Sequence, residues 1–228
     1  MALEFNASNE TYVDCGNDSS LDLYSKHTIV VRVSLSSIST AEFKAIVCKR
    51  LYSSIWQGYG IWVCKDSGEF RFWISDAGGY VDSNISPELG RIYTAIQIYD
   101  GTYVKGWVDN QYQGSAEITA ISTADVCLNI GRDSGGGNHI NGVVHEVRLY
   151  NGCITDTERE IITFSQGSDN IVDGLVGWWR FDEKPEGESA TGTNSIIDLS
   201  GHGNHGTPTN NPIYRSGNLR IIKPPIIR

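Results

Sequence analysis

Short β-branched and aromatic runs, broken by Gly, Asn, Asp and Ser at close intervals, dominate this sequence. Such runs are typical of strands, and their close spacing is typical of a β-sandwich or β-barrel. The clearest pair occupies 93–99 and 103–108, where Asp100 and Gly101 lie between two alternating runs and predict a hairpin. A second hairpin turn is predicted at 65–68. The chain is therefore predicted to be all-β.

One segment predicts a helix. Thr155 and Glu158 have the spacing of a capping box, and an apolar stretch follows them. We therefore expect one short helix near 155–165. The last residues, 221–228, are apolar but are interrupted by Pro224 and Pro225, so they predict an edge strand or an extended arm.

Length and charge exclude several classes of function. The chain has 228 residues, with 18 Lys and Arg against 27 Asp and Glu, which gives a net charge of −9. A nucleic-acid partner is not expected, because phosphate binding requires a basic patch. No apolar window approaches the roughly 18 residues of a spanning helix, so membrane insertion is not expected either. The hydrophobic fraction of 39% is enough for a folded core.

The N-terminal residues and the cysteines indicate the cellular compartment of the protein. Residues 1–6 have neither a basic start nor an apolar run, so we expect no secretory signal peptide. The five cysteines are an odd number without a C-x-x-C pair, which favours small buried side chains over a disulfide framework or a zinc cluster. We expect a protein that is cytoplasmic or assembled into a virion or another particle.

Two groups of motifs resemble one family. IGRD at 130–133, NGVVHEVRLYN at 141–151 and the predicted helix resemble the closing part of laminin-G-like domains. GLVGWWRFDE at 174–183 and IDLSGHGNHG at 197–206 resemble the opening part of the same domains. These domains belong to the concanavalin A-like lectin/glucanase superfamily. The resemblance implies a jelly-roll β-sandwich of two curved antiparallel sheets.

The order of these motifs departs from the family's, because the opening part follows the closing part. A circular permutation would make 1–220 a single domain, in which 173–220 supplies the strands that usually come first. Alternatively, 173–220 begins a second, truncated domain or donates its strands to a neighbouring copy, giving a homo-oligomer. Some 50 residues cannot bury a core alone. We therefore favour the single permuted domain.

The turn at 198–204 is a candidate calcium site. Asp198 and Asn204 supply the oxygen ligands that calcium prefers. By resemblance, family members hold a structural calcium at this turn together with an Asp of the closing strand, and that position here is His145, a poor calcium ligand. Two alternatives stay open: a bound calcium ion, or side-chain hydrogen bonds that only cap the turn. No organic cofactor is expected.

Catalysis is not expected. Glycoside hydrolases of the same superfamily use carboxylates in an E-x-D-x-x-E arrangement, which does not occur in this sequence. Ser134 lies in a segment that is similar to a serine-protease nucleophile, but it lacks the glycine two residues earlier that a nucleophile elbow needs. We expect no enzyme and no catalytic residues.

Aromatic residues in polar loops are the candidates for ligand binding. Sugar rings stack on flat aromatic side chains, while neighbouring polar groups bind the hydroxyls. Tryptophans inside predicted strands are expected to pack in the core, namely Trp62, Trp73, Trp107, Trp178 and Trp179. The loop candidates, expected at one rim of the sandwich, are Trp56, Gln57, Tyr59, Asp76, Tyr80, Asp82 and Asn84.

These observations favour a non-catalytic binding module that recognises a glycan through loops at the rim of the sandwich. A protein surface is the other partner that such loops could contact. The glycan part of this prediction rests on the resemblance, because a fold by itself does not specify a function. The alternative is a structural, decoration or attachment subunit of a virus particle or another assembly.

Overall fold

The computed structural model describes residues 1–39, 41–52, 56–75, 79–118, 121–122 and 124–217, and its strands form two antiparallel sheets packed face to face. The all-β jelly-roll prediction is confirmed. In chain order, the strands are β1 (Ala2–Phe5), β2 (Tyr12–Asp14), β3 (His27–Leu35), β4 (Lys44–Tyr52), β5 (Trp56–Val63), β6 (Phe70–Ile74), β7 (Tyr80–Asp82), β8 (Ile92–Tyr99), β9 (Tyr103–Val108), β10 (Gln111–Glu117), β11 (Asn129–Ile130), β12 (Gly142–Tyr150), β13 (Leu175–Trp179), β14 (Thr207–Thr209) and β15 (Ile213–Arg215).

Strands distant in sequence become neighbours in each sheet. The first sheet has the order β10-β9-β8-β3-β12-β1-β15, and β13 lies beside β12 on the same side as β1. The second sheet has the order β14-β2-β11-β4-β5-β6-β7. Both predicted hairpins are present: β8 pairs with β9 across Asp100 and Gly101, and β5 pairs with β6 across the turn at 65–68.

Alternation along the strands builds the core between the sheets. In β6, Phe70, Phe72 and Ile74 are fully buried in this core. Arg71 and Trp73 occupy the alternate positions and point to the outer face of the second sheet, because successive side chains of a strand point to opposite sides. Burying each of the three inward side chains contributes about 1.5–3 kcal/mol to folding.

The predicted helix, α1 (Asp156–Ser165), covers the outer face of the first sheet. Its capping box is formed: the Thr155 hydroxyl accepts a hydrogen bond from the Glu158 amide, and the Glu158 carboxylate accepts one from the Thr155 amide at 2.7 Å. Ile162 packs beneath the helix in a second apolar cluster with Trp107. Two single 3-10 turns span Ala7–Asn9 and Ser19–Leu21. Among the described residues, no helix has the length and apolar character needed to span a membrane.

All five cysteines are free thiols, and three of them are buried as the sequence predicts. Cys15, Cys48 and Cys64 are buried, while Cys127 is half-buried and Cys153 is exposed. Burial raises the pKa of the Cys48 thiol, and burial together with a hydrogen bond to Asp82 raises that of Cys64 to about 12. Both thiols are therefore uncharged at neutral pH.

The strands that follow residue 173 complete both sheets of their own chain. β13 pairs with β12, β14 with β2 and β15 with β1. Trp179 and Phe181 are fully buried between the sheets. Because β14 and β15 each lie at the end of a sheet, they are edge strands, and association of copies through them stays a prediction. The permuted origin of the domain also stays a prediction, and 221–228 lies outside the described residues.

Candidate functional site

A groove of about 420 Å³ crosses the outer face of the second sheet, over β4 to β7. This volume lies within the roughly 300–1,000 Å³ of small-molecule pockets. Aromatic and arginine side chains make up most of its lining, which consists of Phe43, Arg50, Trp56, Trp62, Arg71, Trp73, Ser75 and Tyr80. The groove therefore combines flat apolar surfaces with charged hydrogen-bond donors.

Two glycines of β5 lie near the groove, and neither position has room for a side chain. Trp56, Gly58, Gly60 and Trp62 occupy alternate positions of this strand, so they share its outer face. A Cβ atom at Gly60 would lie 2.8 Å from the Trp62 indole nitrogen, and one at Gly58 would lie 1.8 Å from the Lys49 carbonyl oxygen. Side chains are therefore excluded between the two tryptophans, and the Trp62 ring lies close to the strand backbone.

The Arg50 guanidinium lies over the rings of Trp56 and Trp62. Arg50 pairs with Gly58 in the register of β4 and β5. Its guanidinium carbon lies 4.1 Å from the centre of the Trp56 ring and 4.3 Å from that of Trp62, close enough for cation–π attraction. Asp133 forms an ion pair with Arg50 from the loop after β11. This contact attaches the loop after β11 to a side chain that lines the groove.

Ser134 of the same loop has a structural contact to β4. Its hydroxyl accepts a hydrogen bond from the Arg50 amide at 3.1 Å and donates one to the Cys48 carbonyl at 2.9 Å. Asp133 also accepts hydrogen bonds from the Gly135 amide and the Asn138 side chain, both at 3.3 Å. The loop is thus attached to the sheet by side-chain contacts that hold Asp133 against Arg50.

Arg71 forms the opposite wall. Its Nε and Nη2 atoms donate to the two carboxylate oxygens of Asp82 at 2.6 and 2.7 Å, a bidentate pair with fixed geometry. The guanidinium carbon lies 3.8 Å from the centre of the Tyr80 ring and 4.9 Å from that of Phe43. The strand register accounts for this, because Arg71 is opposite Asp82 and Trp73 is opposite Tyr80.

Trp62 and Trp73 form the floor between these walls. Trp62 is 2% exposed, and its indole N–H has no hydrogen-bond partner among the described residues. The half-buried Trp73 ring lies beside it in a small cluster on the outer face with Phe43 and Cys48. An unpartnered buried N–H is costly unless a ligand or a water molecule satisfies it.

Three of the residues predicted from the loops belong to this site. Trp56 and Tyr80 line the groove and are 37% and 41% exposed, and Asp82 holds Arg71. Half-buried Gln57 follows Trp56 on the opposite face of β5. Asn84 is exposed beyond β7, where its backbone N–H donates to the side-chain oxygen of Gln113.

The expectation that Tyr59 contacts a ligand is corrected by the structure. Tyr59 is 2% exposed within the core, and its hydroxyl donates to the Leu21 carbonyl at 2.8 Å. Strand alternation turns it inward, one position from each of the outward-facing glycines. Asp76, the remaining candidate, lies outside the described residues.

The main omissions of the sequence prediction are Trp62 and Trp73, which were expected in the core. Trp179 does lie in the core, and Trp107 is buried beneath α1. Trp178 is half-buried on the outer face of the first sheet, where its indole donates to Glu146 at 2.6 Å. The missed signal is the spacing W-x-G-x-G-x-W at 56–62, which places two tryptophans and two glycines on one face of a strand.

Hydrogen bonds within the chain engage the side chains of both candidate calcium ligands, Asp198 and Asn204. The Asp198 carboxylate already accepts hydrogen bonds from the amides of Trp178, Ser200 and Asn204 and from the Ser200 hydroxyl, at 2.8–2.9 Å. The Asn204 side chain donates to Ser20 and to the Val176 carbonyl. Within the described ranges, no group of three or more His, Cys, Asp or Glu residues could hold a metal ion. These contacts are those of the hydrogen-bonded turn, and calcium binding at this turn stays a prediction.

Chelation gives a direct test of this turn. A chelator is expected to leave the melting temperature unchanged, because these hydrogen bonds require no ion, and added calcium should not raise it. Thermal unfolding with EDTA and with millimolar calcium measures both effects. A rise in melting temperature that depends on the calcium concentration, and that Asp198→Asn abolishes, would contradict the prediction.

The comparisons with known proteins agree with this fold. A family model, Laminin_G_3, described as concanavalin A-like lectin/glucanases superfamily, matches residues 7–158. None of the curated proteins matches the sequence. A protein from Bacteroides ovatus whose inferred role is carbohydrate binding is 16% identical and superposes with a TM-score of 0.67. The match covers 93% of this chain, and this chain spans 59% of the length of that protein.

Two further solved structures share part of the fold. Domain 4 of AbnA, a GH43 extracellular arabinanase from Geobacillus stearothermophilus solved with arabinotriose, is 14% identical with a TM-score of 0.51 and covers 63% of this chain and 69% of its own. A mutant Trypanosoma rangeli sialidase with trans-sialidase activity is 18% identical with a TM-score of 0.51 and covers 62% of this chain and 23% of its own. At these identities the likeness concerns the fold alone. Because the family model matches more than half of the sequence, the chain belongs to the Laminin_G_3 family of the concanavalin A-like lectin/glucanases superfamily.

Proposed function

We propose that this protein is a non-catalytic module that binds a glycan in the groove over β4 to β7. The observation that carries the proposal is the pair of arginine–aromatic stacks that face each other across a floor of two tryptophans. The flat rings suit the C–H faces of sugars, and the remaining guanidinium N–H groups suit their oxygen atoms. This site lies on the face of a sheet, whereas the sequence prediction placed it at the loop rim.

The relatives support this assignment by analogy. One of the similar folds has an inferred role in carbohydrate binding, and another was solved with arabinotriose. Membership in a lectin and glucanase superfamily makes a saccharide the first class of ligand to test.

Binding without cleavage is part of the proposal. Glycoside hydrolysis generally requires two carboxyl groups that act on the glycosidic bond. Among the residues that the structure describes, the carboxylates in contact with the arginines of the groove are Asp82 and Asp133, and each is paired with an arginine. Neither is therefore positioned as a free acid or nucleophile. Prolonged incubation with a bound oligosaccharide should release no new reducing ends.

A glycan array with matched variants tests the function. Trp56→Ala and Tyr80→Ala should each weaken binding of the recognised glycan by at least about tenfold, since each removes one aromatic face of the groove. Phe164→Ala is the control, because Phe164 is 65% exposed on α1, beside the other sheet. The proposal fails if the array stays blank, or if the groove variants bind as well as the parent.

A further inference from the structure

The charged groups of the groove balance each other. Arg71 is neutralised by Asp82 through two hydrogen bonds, and Arg50 is neutralised by its ion pair with Asp133. Each guanidinium is thus in direct contact with one carboxylate. Within the described part of the chain, the walls offer polar atoms to a ligand but no net charge.

The surroundings of the groove add little charge to this balance. Lys44, next to Phe43, forms an ion pair with Glu42 at 2.9 Å. The Lys65 ammonium lies 5.8 Å from the centre of the Phe43 ring, at an exposed position where water and salt screen it. The buried thiols of Cys48 and Cys64 are uncharged, as described above. The whole chain carries a net charge of −9, which repels anions at long range.

A neutral saccharide suits such walls better than an acidic one. A sugar hydroxyl can accept a hydrogen bond from an arginine and donate one to the partly exposed Asp82 carboxylate, so it can join the Arg71–Asp82 pair without breaking it. Asp133 is 5% exposed, so its role is to neutralise Arg50. A ligand carboxylate or sulfate has acceptors only. It would compete with Asp82 or Asp133 for the guanidinium and would lie beside a like charge.

We propose that the groove selects uncharged saccharides and discriminates against uronic acids, sialylated glycans and sulfated glycans. This inference rests on the proposed glycan-binding function. The Arg71–Asp82 and Arg50–Asp133 pairs determine the selection, because in each pair a carboxylate cancels the charge of a guanidinium that lines the groove. Asp82→Asn removes the charge of one carboxylate with little change of shape, and Asp82 is less buried than Asp133.

The length of the groove guides the choice of probes. Neighbouring strands lie about 4.8 Å apart, so the four strands β4 to β7 span about 14 Å, roughly three sugar rings. Xylotriose, galactotriose and lactose are therefore compared with trigalacturonic acid and sialyllactose on one array and by titration calorimetry. We expect the neutral probes that bind to exceed their acidic counterparts by at least about tenfold in affinity.

Two further measurements separate charge selection from a general loss of binding. Raising the salt concentration from about 0.02 to 0.5 M should leave the affinity for a neutral probe within about twofold, because no net charge is paired on binding. Asp82→Asn should shift the ratio of acidic to neutral affinity toward the acidic probe by about tenfold, because Arg71 is then uncompensated. The control is Asp109→Asn, which alters an Arg–Asp pair with Arg91 away from the groove.

The outcomes distinguish the inference from the function on which it rests. Acidic probes that bind as tightly as neutral ones, or an unchanged ratio in a folded Asp82→Asn protein, would overturn charge selection and leave glycan binding in place. If no probe of either kind binds, the proposed function fails and the inference fails with it.

Discussion

Trp179→Ala is expected to lower the free energy of unfolding by about 3–5 kcal/mol, as truncation of a large buried aromatic side chain does. Trp179 is fully buried in the core on β13, and its indole N–H donates to the Asn204 carbonyl at 2.9 Å. The substitution therefore leaves both a cavity and an unpartnered carbonyl. Urea denaturation followed by circular dichroism measures the change. Phe164→Ala, at the surface, should change the stability by no more than about 0.5 kcal/mol.

A truncated protein that ends at residue 172 tests whether the C-terminal strands are required for the sandwich to fold. It lacks β13, β14 and β15, so β12, β2 and β1 lose paired neighbours and the core loses Trp179 and Phe181. We expect no cooperative unfolding transition in this protein. If the truncated chain unfolds cooperatively with near-parental stability, the C-terminal segment is not an integral part of the sandwich.

Asp169→Asn is expected to destabilise the protein by about 3 kcal/mol at neutral pH, because it breaks a buried ion pair. Arg148 is fully buried on β12, and its Nη1 and Nη2 atoms donate to the two oxygens of Asp169 at 2.5 and 2.9 Å. Arg148 Nε also donates to Glu146 at 2.7 Å. Asp182→Asn is the matched control, because Asp182 is largely exposed and lies 3.7 Å from Arg180. Such surface pairs contribute about 0–1 kcal/mol.

The effect of Asp169 depends on pH. Burial alone would raise the pKa of its carboxyl, but hydrogen bonds from Arg148 and Ser165 lower it to about 2, below the unfolded value of about 3.9. A lowered pKa in the folded state stabilises the protein above about pH 4, and this contribution is lost as the pH falls toward 2. The stability difference between the parent and Asp169→Asn should therefore shrink across this range. A constant difference from pH 7 to pH 2 would contradict the assignment.

Local signals predicted much of the fold. The Asp100-Gly101 turn, the capping box of Thr155 and Glu158 and the alternating runs each depend on neighbours within a few residues, and each is confirmed. Family motifs added the sandwich, because they reflect long-range pairing that local patterns do not contain.

The candidate site was predicted only in part, and the strand faces explain why. Trp56 and Tyr80 lie near loops and were recognised as ligand candidates, whereas Trp62 and Trp73 lie within strands and were assigned to the core. Alternation places Trp62 with Trp56 on one face of β5 and Tyr59 on the other, but it does not say which face is covered. That depends on the side on which the opposite sheet packs.

The amino-acid sequence by itself determined most of the longer strands, the two hairpins and the helix, because these follow from interactions between residues close in the chain. The tertiary structure decided which face is buried and which face forms the groove. It also brought Asp133 to Arg50 across 83 positions of the chain. The groove and its balance of charge exist only where β4 to β7 lie side by side and the loop after β11 folds against them, contacts that no local pattern encodes.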